Sequence, residues 1–519
     1  MPPTVQATIA ARIDRLEERD KDLLQVAAVI GYELSEPLLR EVSGLSEAEL
    51  ATALASLVSG ELLSEGIGAA GVEYLFKHPL TQEVAYRSQL GERRRRTHRA
   101  AALAIERLHP DRGGELASLV ARHFEAAGEP LTAAGAYARA AHWLGYRDVS
   151  AAFGLWRQVG ALVEPLDSPE ARGLALASRA RQLEFGYRMG GISEDEAAAH
   201  YRVGRDLAQQ SGDRAGLLLI TAMYATVRGT WGHLREAGEL ADAVNDLSVE
   251  IGGSAVRISA MGIPLYAWLV LGRLSETLEL AEEGIALGAQ DPTLGAGFGV
   301  TSPYAFCLTT KAATLCYMGR PQEAAKALAG ALRVAAEQED IETEGWAHAF
   351  CVLLARCGGR VENMFDHAMQ ADAIAEKIGS SLSRVYSLGY VGHAHLMLGR
   401  ADQATEAFER AIALVRRART GLDLEPFLLA GLADALLGTG EPARALQCAQ
   451  EAVALALERT ARLVLPNCYR ALADAALALG KADGAERALD DAILIIEETG
   501  GRAELPFIDR ARRRLAPVA

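Results

Sequence analysis

The chain has 519 residues, half of them apolar and only 6% aromatic, with a formal net charge of −15 at pH 7. That length accommodates several domains or one extended solenoid. The acidic balance argues against electrostatic binding to nucleic acid or anionic membranes, and the longest apolar stretch, around residues 263–272, is too short to span a bilayer.

In chain order, residues 4–16 and 20–30 read as amphipathic helices, and 37–42 as a short third. Ser46 caps a fourth, with Glu49 three positions on completing a capping box. Residues 61–65, a glycine cluster and residues 72–76 then predict a β-hairpin, the two-stranded wing of a small winged-helix domain. Helices over 80–89 and 93–108 lead out of it. The first helical hairpin follows, over 117–127 and 132–144, with Gly128-Glu129-Pro130 as its turn and a break at Gly145. Pro/Gly-bearing loops are expected at 164–169, 290–303 and 421–426.

From the middle of the chain onwards a glycine interrupts an alanine-rich helical pattern every 40 to 47 residues, at Gly190, Gly232, Gly272, Gly319, Gly359, Gly399, Gly440 and Gly480. Each can end a helix in the left-handed conformation that a Cβ disfavours. Small residues follow at fixed offsets, for example Ala324, Ala327 and Ala331 after Gly319, on one face of the next helix. Such a period marks stacked helical hairpins that cannot bury their apolar faces alone. The expected fold is all-α: a superhelical, tetratricopeptide-like array of hairpins of about 40 residues, preceded by the winged-helix domain with one β-hairpin. The domains would be residues 1–110, winged helix and connecting helices, and 111–515, the repeat array.

The six cysteines, Cys307, Cys316, Cys351, Cys357, Cys448 and Cys468, form no CxxC pair and fall mostly at apolar helical positions, as reduced core residues of a cytosolic protein would. Met1-Pro2-Pro3 opens into a helix with no signal-peptide pattern. The expected location is cytoplasmic, away from any membrane.

Two stretches carry a family resemblance. One is Pro3-Thr4-Val5-Gln6-Ala7 with Ala11-Arg12-Ile13-Asp14-Arg15-Leu16; the other runs Phe76-Lys77-His78-Pro79-Leu80-Thr81-Gln82-Glu83-Val84-Ala85-Tyr86. Together they resemble the winged-helix segment that follows the nucleotide-binding domain of bacterial STAND-type signalling ATPases, and most of all the branch fused to class III adenylate/guanylate cyclases. The resemblance implies a tetratricopeptide-like sensor coupled to an ATPase switch, and it permits Lys77 and His78 a role in sensing nucleotide phosphates. A structural histidine at a strand end is the alternative for His78. Family members carry a P-loop upstream. Here Gly480-Lys481 is the only Gly-Lys pair, Ala482 follows it, and Ala475 stands at the first P-loop glycine position, so the sequence has no Walker A motif. The chain then corresponds to the C-terminal half of such a protein.

Other constellations are weaker. Gly66-Ile67-Gly68-Ala69-Ala70-Gly71 matches GxGxxG, but a strand follows it, where a dinucleotide site needs a helix; it reads as the tip of the wing. Gly295-Ala296-Gly297-Phe298-Gly299 reads as an inter-helix loop. The helix over 46–59, which would enter a DNA groove, has no Lys or Arg and carries Glu47 and Glu49. Arg93 to Arg96 form the one dense basic run, read as a solvated helix start. His393 and His395, two apart on a helix, point to different faces and are not co-ligands. No metal motif, nucleophile motif or cofactor site is evident. Tyr224, Trp231, Tyr266, Trp268, Tyr304, Tyr317, Trp346, Tyr386 and Tyr390 sit on the first helices of hairpins. Such aromatics either fill the core between hairpins or line a concave groove, where those facing it would anchor a ligand.

These observations predict a non-catalytic regulatory module. It would bind a protein, peptide or small-molecule ligand on its groove and pass the event to an ATPase or nucleotide cyclase module, its expected protein partner. The alternatives are a truncated fragment of a cyclase with an ATPase domain or, further off, a DNA-binding regulator.

Overall fold

The computed structural model describes residues 3–31, 33–68, 71–297 and 302–515. The chain divides into two compact units, Met1–Trp143 with Gly154–Ala175, and Leu144–Phe153 with Leu176–Ala519.

The first unit opens with α1 (Pro3–Asp14) and α2 (Glu18–Ile30), then β1 (Glu33–Ser35), α3 (Glu36–Ser43), α4 (Glu47–Ser59), β2 (Leu63–Gly68) and β3 (Gly71–Phe76). Both halves of the capping box form at α4: Ser46 Oγ accepts from the Glu49 N–H, and Glu49 accepts from the Ser46 N–H at 3.0 Å. The sheet is three-stranded, antiparallel throughout, in the order β1-β3-β2. The sequence reading has only the hairpin. A strand of three residues has no periodicity to betray it, and Glu33–Ser35 is held by pairing to β3, Leu34 facing Tyr74 across the ladder. Gly66 and Gly68 lie at the end of β2 and Gly71 begins β3, with Gly68 opposite Gly71, so these glycines end the hairpin as expected; Ala69 and Ala70 between them lie outside the described residues. Leu23, Leu24, Leu34, Leu39, Leu50, Leu57 and Phe76 are buried as the core under this sheet. Then come α5 (Pro79–Arg87), α6 (Gly91–Leu108), α7 (Gly113–Ala127) and α8 (Pro130–Leu144). Tyr86 Oη lies 3.0 Å from His98 Nε2, whose Nδ1 meets His123 Nδ1 at 2.9 Å. Burial holds both imidazoles down to about 4, so both are neutral and one ring donates to the other.

Helices α9 (Val149–Val163) and α10 (Pro169–Met189) lead into the array. It comprises α11 (Glu194–Ser211), α12 (Arg214–Thr230), α13 (Leu234–Ile251), α14 (Ser254–Ala260), α15 (Gly262–Val270), α16 (Leu274–Gly288), α17 (Pro303–Tyr317), α18 (Pro321–Glu337), α19 (Ile341–Arg356), α20 (Met364–Ile378), α21 (Ser381–Met397), α22 (Ala401–Ala418), α23 (Glu425–Gly438), α24 (Pro442–Glu458), α25 (Leu465–Ala478), α26 (Ala482–Thr499) and α27 (Leu505–Leu515). The hairpin turn repeats one geometry. After α17, Gly319 takes φ +75°, its N–H bonds to Cys316 O at 3.0 Å, and the Arg320 N–H reaches back to Leu315 O at 2.8 Å. Those two bonds are a Schellman cap, satisfying carbonyls the helix leaves open. The same backward bond recurs at Arg273, Arg400, Glu441 and Lys481. Ala324, Ala331, Ala404, Ala411, Ala445, Ala452, Ala485 and Ala492 are fully buried, which lets the neighbouring helix approach as the small-residue pattern requires.

One beat of the cadence is displaced. After α19 the left-handed residue is Gly358, not Gly359, and α20 starts only at Met364. A side chain at Gly359 would collide with Leu354 instead. The 421–426 segment is likewise no open loop: Leu422–Leu424 is a 3-10 turn that runs directly into α23. Of the loop at 290–303, residues 298–301, Phe298 and Gly299 among them, lie outside the described residues.

Within the second unit the superhelix closes on itself. The turn at Gly190 touches Ala418, where a Cβ would come within 2.0 Å of the carbonyl oxygen. Further along, Leu463 N–H bonds to Val270 O at 3.2 Å and Ala503 N–H to Tyr317 O at 3.0 Å. Glu194 pairs with Arg419 at 3.0 Å, and buried Arg356 with Glu504 at 2.5 Å. Each turn in the first half of the array thus rests on one from the second half, and the concave face between them becomes an interior.

Candidate functional site

The first helices of successive hairpins face that interior. One cavity is bordered by α10, α12, α14, α15, α17, α19 and α21, with about 120 Å³ of space open to a water-sized group. Tyr187, Met223, Ile263, Tyr266, Phe306, Trp346, Phe350 and Tyr386 make its wall, with Thr226, Thr230, Thr309 and Thr310 among them. A second, smaller chamber of about 60 Å³ shares Tyr266, Leu269, Phe350 and Tyr386 with the first and continues past Tyr317, Tyr390, Asp423 and Phe427.

Two charged groups are sealed into this apolar surface. Arg188 on α10 is 1% exposed. Its Nε donates to both carboxylate oxygens of Glu342 on α19 at 3.2 and 3.1 Å, and its Nη1 donates to Glu184 O at 2.8 Å. Ser383 Oγ on α21 donates to Glu342 as well, at 3.1 Å. A buried pair tolerates low dielectric only when its remaining hydrogen-bonding capacity is met in this way. Asp423 is less complete. Tyr266 Oη donates to its Oδ2 at 2.8 Å, yet its Oδ1 is buried and completes no hydrogen bond. Burial pushes the carboxyl up to about 6, against the opposing pull of the Tyr266 hydroxyl, the nearby backbone N–H groups and Arg459. Arg459 itself is engaged by Leu422 O and by Glu425, at 3.0 Å. Trp346 Nε1, on the wall of the first cavity, is also buried without a partner.

Of the aromatics singled out in the sequence, Tyr266, Trp346 and Tyr386 line the first cavity, and Tyr266, Tyr317, Tyr386 and Tyr390 the second. The others pack between helices. Tyr224 stacks on Tyr201 with centroids 4.3 Å apart, and Trp231 belongs to the same cluster. Trp268 Nε1 donates to Asp242 at 2.8 Å, and Tyr304 packs in the cluster that contains Trp268. Arg188, Glu342 and Asp423 have no counterpart in the sequence reading; a lone acidic or basic residue in a helix has no local signature, and these acquire meaning only across the array. Lys77 and His78 stand exposed where β3 hands over to α5; Lys77 pairs with Glu61 at 2.7 Å, and His78 is the residue preceding the helix. His393 is buried between Phe408 and Phe427 while His395 meets Phe365, so the two histidines do point apart. Among the described residues no group of three or more His, Cys, Asp or Glu is placed to hold a metal ion, all six cysteines are free thiols, and no helix is long and apolar enough to cross a membrane.

This fold is a tetratricopeptide-like helical-repeat array joined to a small sheet-bearing helical unit. A family model described as anaphase-promoting complex subunit 5 matches residues 291–357 and 360–429. Comparison with curated proteins gave no match. Among solved structures, a Rap protein complexed with competence and sporulation factor is similar at 13% identity and a TM-score of 0.52, over 70% of this chain and 98% of that one. A signal transduction ATPase with numerous domains (STAND) with a tetratricopeptide repeat sensor, from Pyrococcus horikoshii, aligns at 14% identity and a TM-score of 0.38, over 97% of this chain and 66% of that one. The Cut9–Hcn1 hetero-tetramer of the APC/C aligns at 13% identity and a TM-score of 0.40, covering 81% and 91%. At such identities the likeness is one of fold.

Proposed function

We propose that this chain is a non-catalytic regulatory module, whose helical array encloses a protein, peptide or small-molecule ligand and transmits its presence to an ATPase or nucleotide cyclase module. The observation that carries the reading is the aromatic interior itself. Its walls come from seven helices spread between residues 187 and 386, and the second chamber extends that to residue 464. An occupant there touches both halves of the closed superhelix at once, and so biases how the halves pack. The Rap structure of similar fold is a complex with competence and sporulation factor, which supports a ligand-binding use of such an array. On this reading the unit bearing the sheet is the winged helix, and Lys77 and His78, exposed at its strand end, face the nucleotide-binding module.

The test is reconstitution. Adding the full chain to a purified STAND-class ATPase module is expected to change its ATP hydrolysis severalfold, while the chain alone hydrolyses no ATP and makes no cyclic nucleotide. An ATPase rate unmoved at saturating chain, or turnover by the chain itself, overturns the reading.

A further inference from the structure

We infer that the chamber around Asp423 is a binding site for a compact amine: an ammonium group carried on an aromatic or aliphatic body. The inference rests on the regulatory reading above and names the chemistry of its ligand.

The chamber has one acid and six aromatic rings. Tyr266, Tyr317, Phe350, Tyr386, Tyr390 and Phe427 line it, and Asp423, 3% exposed, is the sole ionisable carboxyl on its wall. An unpaired oxygen on a buried carboxylate is costly, and native structures rarely leave one without a partner. The chain's own cations do not supply it. The guanidinium of Arg459 bonds to Leu422 O and Glu425, and Arg188 is spent on Glu342 and Glu184 O. Tyr266 donates to Oδ2, and the backbone N–H groups of residues 423 and 424 act on the carboxyl without completing a hydrogen bond to Oδ1. What remains is an acceptor on a residue that lines a chamber of aromatic rings, a combination that suits an ammonium group held by charge and by cation–π attraction. A carboxylate or phosphate ligand would meet Asp423 as a like charge, and a purely apolar one would leave Oδ1 unpaired. The adjoining cavity, floored by Met223, Ile263 and Phe306, gives the apolar body its place.

The experiment is thermal unfolding and calorimetric titration of the full chain with phenethylamine, with 2-phenylethanol and 3-phenylpropionate as neutral and anionic counterparts of similar shape. Phenethylamine is expected to raise the unfolding temperature with concentration, and its counterparts to leave it unchanged. Asp423→Asn is expected to weaken amine binding by roughly tenfold or more. Tyr266→Phe keeps the ring and the fold but unmoors the carboxylate, and is expected to weaken binding less. A phenylalanyl dipeptide amide is compared with its N-acetylated form: binding by the free N-terminus alone assigns the ammonium to a peptide end, and binding by phenethylamine alone assigns it to a free amine. Equal binding of amine and alcohol, or an affinity unchanged by Asp423→Asn in a folded protein, overturns the inference, as does no binding by any of the amines. If the amines fail while the chain still modulates the ATPase, the ammonium site falls and the regulatory reading stands; if amines bind as described and the ATPase does not respond, the reverse holds.

Discussion

Tyr266 and Asp423 lie 157 positions apart in sequence and share a hydrogen bond of 2.8 Å. The tyrosine belongs to the first half of the array and the aspartate to the second, so the bond spans the interior that their superhelical turns enclose. Arg188 and Glu342, 154 positions apart, form a second long-range link, between α10 and α19. Repeat arrays are stabilised chiefly by neighbour-to-neighbour contact; these two links are long-range and polar, and they tie the closure of the array to the state of its interior.

Arg188→Met leaves Glu342 buried beside an apolar side chain. The loss is expected to be about 3–5 kcal/mol, because breaking one half of a buried pair strands the other charge. Arg188→Met with Glu342→Leu is expected to recover most of that. Urea unfolding of the three proteins checks it; a single variant as stable as wild type contradicts it.

Gly190→Ala tests the seam between superhelical turns. Gly190 sits at φ +74° and its added Cβ would strike Ala418 O, whereas Gly480, at φ +71°, has open space around it. Gly480→Ala is therefore expected to cost about 1–2 kcal/mol, from backbone conformation alone. Gly190→Ala is expected to cost clearly more, by opening the seam. Equal losses in thermal unfolding would show that the turns do not bear on one another.

The carboxyl of Asp423 is raised to about 6, above its unfolded value of about 3.9. Between those values the native state holds a proton that the unfolded chain has released. This group's contribution is thus fully present below about pH 4 and is lost as pH rises through 6. Asp423→Asn removes that titration, leaving Tyr266 and Arg459 as the facing groups. The variant's unfolding free energy is expected to fall less steeply than wild type's from about pH 4.5 to 7, by urea titration at constant ionic strength. Parallel curves contradict it.

Much of the array was legible because its turns depend on one residue's chemistry. A left-handed cap wants glycine, and close helix contact wants alanine, so position alone announces both. Where a second demand entered, the pattern misled: Gly359 is kept small by Leu354 while Gly358 makes the turn. The aromatics show the same limit. Trp268 and Trp346 both lie on first helices, but Trp268 turns its indole to Asp242 and Trp346 lines the cavity. A few degrees of helix rotation decide between core and groove, and no local spacing encodes them. Asp423 was invisible for a related reason. Its 3-10 turn looks like a loop, and its partner lies on a helix far upstream.

The most direct test of the interior as the origin of regulation is ATP hydrolysis by a STAND-class module in the presence of wild-type chain and of Gly262→Leu. Gly262 lines the cavity, and a Cβ added there meets nothing within 4 Å, so the backbone there has room for a side chain that takes up cavity space. The account predicts that both proteins unfold at similar urea concentrations, that wild type changes the hydrolysis rate, and that the filled variant loses that effect. A folded Gly262→Leu chain that modulates the ATPase as wild type does would contradict it.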